Sequence, residues 1–254
     1  MSKILRKIFL LFLVFELCNL TLLSQNKLDV IVLDAGHGGK DPGTIGDNTG
    51  VQEKNIGLPV TMKLGKLIEE KFPDIKIIYI RTTDEFIDLK ERTKIANLSK
   101  AKLFISVHAN HKKAEETEKN GFEIYLLNRE RFPEAVQITM KENSLLKFES
   151  LGADTTDNFI FSSLAQNGYQ KYNEFLASNI EISMLNFTEL ASRGAIQAGF
   201  WVTLGASMPA VLVETGYLSD LKDERYLTSE KGQNDVAIAL FNAFQSYKML
   251  CEMQ

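Results

Sequence analysis

Cysteine is nearly absent: Cys18 and Cys251 are the only two in 254 residues. Loss of a leader ending at Ser24 leaves Cys251 alone, so no internal disulfide is expected to staple the mature chain. Histidine is as scarce, and His37, His108 and His111 are the whole complement. Any imidazole chemistry is thereby narrowed to three positions. A surplus of positive charge is missing too. Lys and Arg number 29 against 33 Asp and Glu, a net charge of −4, and from Gln25 onward the count is 26 against 32, or −6. A nucleic-acid binder needs a basic face, so nucleic acid is not an expected partner. Repeats, low-complexity tracts and proline-rich linkers are also lacking, which favours one domain. An apolar fraction of 44% with 24% charged residues argues against general disorder.

Long apolar runs are confined to the start of the chain. Lys3, Arg6 and Lys7 precede residues 8–15 (IFLLFLVF), and Glu16 and Asn19 then interrupt the run. A basic stretch followed by a run too short to span a bilayer of about 30 Å has the form of an export signal. The expected division is a signal peptide over 1–24 and a mature domain over 25–254. A retained anchor is the alternative. Lipidation at Cys18 fits poorly, because Leu17 and Glu16 stand where small residues are preferred. The expected location is exported, without stable membrane insertion after cleavage.

Strand and helix signals then alternate. Short β-branched runs predict strands at 29–36, 75–81, 103–110, 121–128 and 209–216. Apolar residues at helical spacing predict helices over 53–72, 89–98, 133–148, 173–185 and 235–250, with Pro59 leaving the first turn of the first helix uncertain. Residues 112–120 form a charged, solvated loop. This order predicts an α/β fold: one domain, a mainly parallel twisted sheet, and helices on both faces. Functional residues of such sheets gather beyond the carboxyl ends of the strands, which directs attention to 34–39, 108–110 and 214–216.

The first of these segments, VLDAGHGGKDPGTIG (32–46), carries five glycines and His37. It is not a phosphate loop, since Lys40 is followed by Asp41 where Ser or Thr is required, and Asp41 also occupies the third glycine position of a dinucleotide fingerprint. No G-x-S-x-G is present, and Cys251 lies far from any histidine in sequence, so nucleophilic Ser or Cys chemistry lacks support. His37 and His108 both end buried strands, as structural residues or as metal ligands. Imidazoles with a carboxylate suit zinc, which takes three protein ligands in catalytic sites. Glu53 is either the third ligand or a helix-start acid favoured by the helix dipole. Glu214, at the end of an apolar strand, needs a partner or a task. A general base beside a metal-activated water is one, and an ion pair with Arg193 or Arg81 is the other.

Five motifs now occur in order: DAGHGGKDPG, EKN, RTTDEFIDLKERTKIAN, LFISVHAN and PAVLVETGYLSD. Together, over about residues 28–250, they resemble the zinc-dependent N-acetylmuramoyl-L-alanine amidases of the bacterial cell wall, catalytic domain family 3. The resemblance implies one catalytic zinc ion held by His37, Glu53 and His108, with Glu214 as catalytic carboxylate. It implies hydrolysis of the amide between the lactyl group of N-acetylmuramic acid and L-alanine of the stem peptide, by zinc-activated water with Glu214 as general base. Residues 25–254 are then the zinc amidase catalytic domain, peptidoglycan is the substrate, the expected location is the periplasm or the cell wall, a protein activator is a candidate partner, and a monomer is expected. The alternatives are another zinc peptidase or amidohydrolase on the same scaffold, or a wall-binding protein without catalysis; intact His37, Glu53, His108 and Glu214 argue against the last. Asn110 and the backbone near Gly38 are candidates to orient substrate. Arg81 and Arg92 are expected to brace loops through ion pairs, and His111 to be exposed outside the ligand set.

Two departures from the family pattern stand out. Asp220 replaces a common asparagine. Residues 142–183, where some relatives insert an inhibitory helix bearing a glutamate, are filled by ordinary core elements, with a lid conceivable at 150–170. Self-inhibition is therefore expected to be weak or absent.

Overall fold

The computed structural model describes residues 27–112, 119–127, 155–198 and 205–253, with the side chains of 155–167 and 198 left aside. Both the leader at 1–24 and the helix expected over 133–148 lie outside the described residues. Six strands form one sheet: β1 (Val30–Ala35), β2 (Lys76–Tyr79), β3 (Leu103–Asn110), β4 (Phe122–Leu127), β5 (Ser192–Ala198) and β6 (Ala210–Tyr217). Among the described residues five helices accompany them: α1 (Lys54–Lys71), α2 (Leu89–Leu98), α3 (Thr155–Phe187), α4 (Leu221–Thr228) and α5 (Glu230–Met253). The sheet order is β2-β1-β3-β6-β4-β5. Every pairing is parallel except β4 with β6. The mainly parallel sheet expected from the alternating signals is thus present, with one reversal.

The two central strands, β3 and β6, are buried along their whole length. That is why LFISVHAN and AVLVETGY are continuous apolar runs rather than alternating ones. On one face, Ile31, Leu33, Ile105, Val107, Val211 and Val213 pack under α1, α3 and α5. Helix α1 contributes Ile56, Val60, Leu64 and Ile68, a stripe at every fourth residue, and runs unbroken through Pro59. Burial of that stripe against the sheet, about 1.5–3 kcal/mol for each fully buried aliphatic side chain, outweighs the hydrogen bond that proline forfeits. The opposite face is thinner: Val32, Phe104, Ala210 and Leu212 meet Ala96 of α2. Helices therefore cover both faces, but unequally.

Three elements differ from expectation. Strand β5 has no counterpart in the sequence reading, because none of residues 192–197 is buried and the edge strand carries no apolar signal. Helix α3 begins at Thr155, so most of the interval offered as a lid is helical. Helix α4 has only eight residues, and it starts at Asp220, whose carboxylate accepts from the backbone of Lys222 and Asp223 at 3.0 Å. Asp and Asn are equally good caps, so an asparagine at this position would cap the helix as well. No helix among the described residues is long and apolar enough to cross a membrane.

A candidate metal centre at the carboxyl ends of the central strands

Strand β1 ends in a backbone that turns sharply. His37 sits in the left-handed region at φ 57°, a conformation that costs a non-glycine residue roughly 1–3 kcal/mol. Two buried arginines hold it there. Arg81 donates to the carbonyls of Ala35 at 2.9 Å and Gly36 at 2.7 Å, and also to those of Thr83 and Lys54. Arg92 donates to the carbonyls of Ala35 and His37 at 2.9 Å and forms an ion pair with Asp34 at 2.7 Å. Arg92 thus braces the loop through an ion pair, as expected. Arg81 does so through carbonyl oxygens instead, because its fork of donors meets a row of them.

The loop and two further elements bring three side chains together. Glu53 immediately precedes α1, yet its carboxylate caps none of that helix's N–H groups. It turns instead to the loop and to β3. Its Oε1 lies 3.0 Å from Nε2 of His37 and 2.9 Å from Nδ1 of His108, and accepts from the Ala109 N–H at 3.1 Å. Its Oε2 accepts from the Thr44 N–H at 2.8 Å. The two imidazoles meet edge to face, with ring centres 5.0 Å apart. His37, Glu53 and His108 are all buried, and one donor atom from each lies within 4.8 Å of the others. Burial alone raises the pKa of Glu53. The adjacent His37 charge and the hydrogen bonds from His108 and His37 more than offset it, and carry the carboxyl well below its ordinary value.

Space at the centre is reserved by glycine. A Cβ on Gly36 would lie 2.4 Å from the His108 ring, and one on Gly43, at φ 67°, would lie 2.5 Å from Glu53 Oε2 and 2.6 Å from the His37 ring. Gly36 and Gly43 are therefore the small residues that let these three side chains converge. Two imidazoles and one carboxylate, buried and converging, fit the donor set of a catalytic zinc site. Asp41 Oδ2 engages Nδ1 of His37 at 2.7 Å, which leaves Nε2 directed at Glu53. Such a carboxylate behind a ligand histidine fixes the ring's orientation and tautomer. Asp41 was missed in the sequence because an Asp between glycines and a proline has the form of a turn residue.

Glu214 lies next to this centre. It is the register partner of His108 across β3–β6, and only 1% exposed. On its other side, across the antiparallel β4–β6 pair, its partner is Glu123. Glu123 is also buried, and it accepts from Tyr217 Oη at 2.7 Å, Tyr125 Oη at 2.6 Å and Asn110 Nδ2 at 2.9 Å. Burial, followed by the Glu123 charge, pushes both phenol pKa values far up, so each tyrosine remains a donor. Glu123 was also missed, although its signal matches that of Glu214: an acid inside an apolar strand.

The remaining candidates fall as follows. The Asn110 amide is taken up inside the protein: Nδ2 donates to Glu123, and Oδ1 accepts from the His111 N–H. The Gly38 N–H closes the loop onto the Asp41 carbonyl at 2.9 Å. His111 lies outside the ligand set, but it is half-buried rather than exposed, with Nε2 2.9 Å from Asp47 Oδ1 and Nδ1 2.6 Å from the Lys112 carbonyl. A cavity of about 460 Å³ lies elsewhere, at the amino ends of the strands among Leu28, Lys102 and Pro209, and includes none of these residues.

Fold and site together define a chain with a buried His-Glu-His group, able to hold a metal ion, at the carboxyl edge of a mainly parallel sheet. Comparison with known proteins gives the family. Residues 31–246 match the family model described as N-acetylmuramoyl-L-alanine amidase, and the chain belongs to that family. It is 31% identical to the N-acetylmuramoyl-L-alanine amidase AmiA of Salmonella typhimurium, over 86% of this chain and 75% of that protein. Among solved structures, the catalytic domain of the amidase CwlV from Bacillus (Paenibacillus) polymyxa matches with a TM-score of 0.60 at 30% identity, covering 86% of this chain and 97% of that one. An N-acetylmuramoyl-L-alanine amidase from Clostridium difficile matches with a TM-score of 0.66 at 27% identity, covering 87% and 97%.

Proposed function

We propose that this chain is an exported peptidoglycan hydrolase that cleaves the amide between the lactyl group of N-acetylmuramic acid and L-alanine. His37, Glu53 and His108 would hold one zinc ion, and the chemistry a bound zinc supplies is Lewis acidity, which polarises a carbonyl and acidifies a water. The chain's own residues supply the rest. Asp41 orients His37. Glu53 accepts N–H groups from Thr44 and Ala109, which favour its anionic form. A carboxylate oxygen of Glu214 takes the proton of the attacking water and returns it to the departing alanine nitrogen, so that an amine leaves rather than an amide anion. The observation that carries this is the placement of buried Glu214 beside His108 in the β3–β6 register. The basic-then-apolar start of the chain supports export.

The test is mass spectrometry of peptidoglycan digested by the purified protein. The expected products are stem peptides with a free L-alanine amino end and glycan strands bearing free lactyl carboxylates. Cuts confined to other amide bonds would assign the chain to another amidohydrolase activity on the same scaffold.

A further inference from the structure

The sheet places three ionisable side chains in one row: His108 on β3, Glu214 on β6 and Glu123 on β4, each the register partner of the next. Register partners on neighbouring strands point to the same face. Like charges placed directly opposite each other destabilise a sheet, and removing both from water adds a desolvation cost. Glu123 and Glu214 incur both costs, at 4% and 1% exposure. Three donors, Tyr217, Tyr125 and Asn110, converge on Glu123, and a neutral amide of the same shape could still accept from two of them.

The three donors come from three strands, β6, β4 and β3, and they occupy both oxygens of Glu123. Its charge is therefore fixed in position, while Glu214 stands between it and His108. We propose that Glu123 is a positioning residue for Glu214: its pinned negative charge repels the Glu214 carboxylate from the β4 side and holds it toward the metal ligands. This rests on Glu214 being the general base. Asn110, Tyr125 and Tyr217 serve the same end by immobilising Glu123.

Glu123→Gln removes the charge and keeps the shape. The expected result is a kcat at least about ten-fold lower with KM within about two-fold. Zinc content should equal that of the wild type, and Tm should be equal or higher because the like-charge pair is gone. Glu123→Asp, which keeps the charge, should retain more kcat than Glu123→Gln. A Glu123→Gln enzyme with wild-type kcat overturns the proposal. So does one whose lost activity comes with lower Tm or failure to fold, because Glu123 is then a structural residue. Glu214→Gln, assayed in parallel, separates the two levels. Wild-type turnover in Glu214→Gln removes the base assignment itself, whereas an inert Glu214→Gln beside a fully active Glu123→Gln removes only the positioning role.

Discussion

At the scale of single residues, the site is built by holding costly conformations and charges in place. His37 has an unfavourable backbone angle, and both its carbonyl and its Nδ1 are held, by Arg92 and Asp41 respectively. Asp41→Ala should weaken zinc binding by about 10–100-fold, the usual cost of losing a carboxylate behind a ligand histidine. Competition with a fluorescent zinc chelator would measure it. Arg92→Met leaves Asp34 buried without its ion partner. A loss of about 3–5 kcal/mol is expected in urea unfolding. Of the four residues named from sequence, His37, Glu53 and His108 converge here, and Glu214 is the register partner of His108 on the neighbouring strand. His37, His108 and Glu214 were legible because such side chains are uncommon at the ends of buried apolar strands, whereas Glu53, an acid where a helix start favours one, was singled out through the family resemblance. Asp41 and Glu123 were not, for opposite reasons. Asp41 sits where an Asp is unremarkable, and the importance of Glu123 depends on a strand pairing that reverses the sheet's direction.

At the scale of elements, the legible pieces were those whose burial imposes a pattern. Helix α1 announces itself by Ile56, Val60, Leu64 and Ile68, and β3 and β6 by unbroken apolar runs. Strand β5 could not be seen, since its residues pack at an edge and hydrogen-bond through backbone that any sequence supplies. Helix α4 depends on its cap more than on a long apolar face. Asp220→Ala should therefore cost about 1 kcal/mol, while Asp220→Asn should be near neutral, as chemical denaturation of the two variants would measure. The loop between β1 and α1 is held from a distance by Glu224 of α4, fully buried, which accepts from the backbone of Asn48 and Thr49 and from the Thr49 hydroxyl. Such a contact joins residues more than 170 positions apart and leaves no local trace in sequence.

At the scale of the whole molecule, the sheet core and the metal centre are separable. The packing of α1, α3 and α5 onto one face of the sheet, and of α2 onto the other, does not involve His37, Glu53 or His108. Stripping zinc with a chelator should abolish hydrolysis yet leave the far-ultraviolet circular dichroism spectrum unchanged. The free energy of unfolding should fall only by the linkage contribution, about 3–4 kcal/mol at zinc concentrations of 100–1,000 times Kd. The central claim is that three residues hold one zinc ion while a fourth, on the neighbouring strand, moves protons. Zinc stoichiometry and turnover measured together on wild type, His108→Ala and Glu214→Gln test it most directly. The account predicts one zinc per chain in wild type and in Glu214→Gln, loss of zinc in His108→Ala, and turnover at least about 10²-fold lower in Glu214→Gln. Full zinc occupancy in His108→Ala, or wild-type turnover in Glu214→Gln, would contradict it.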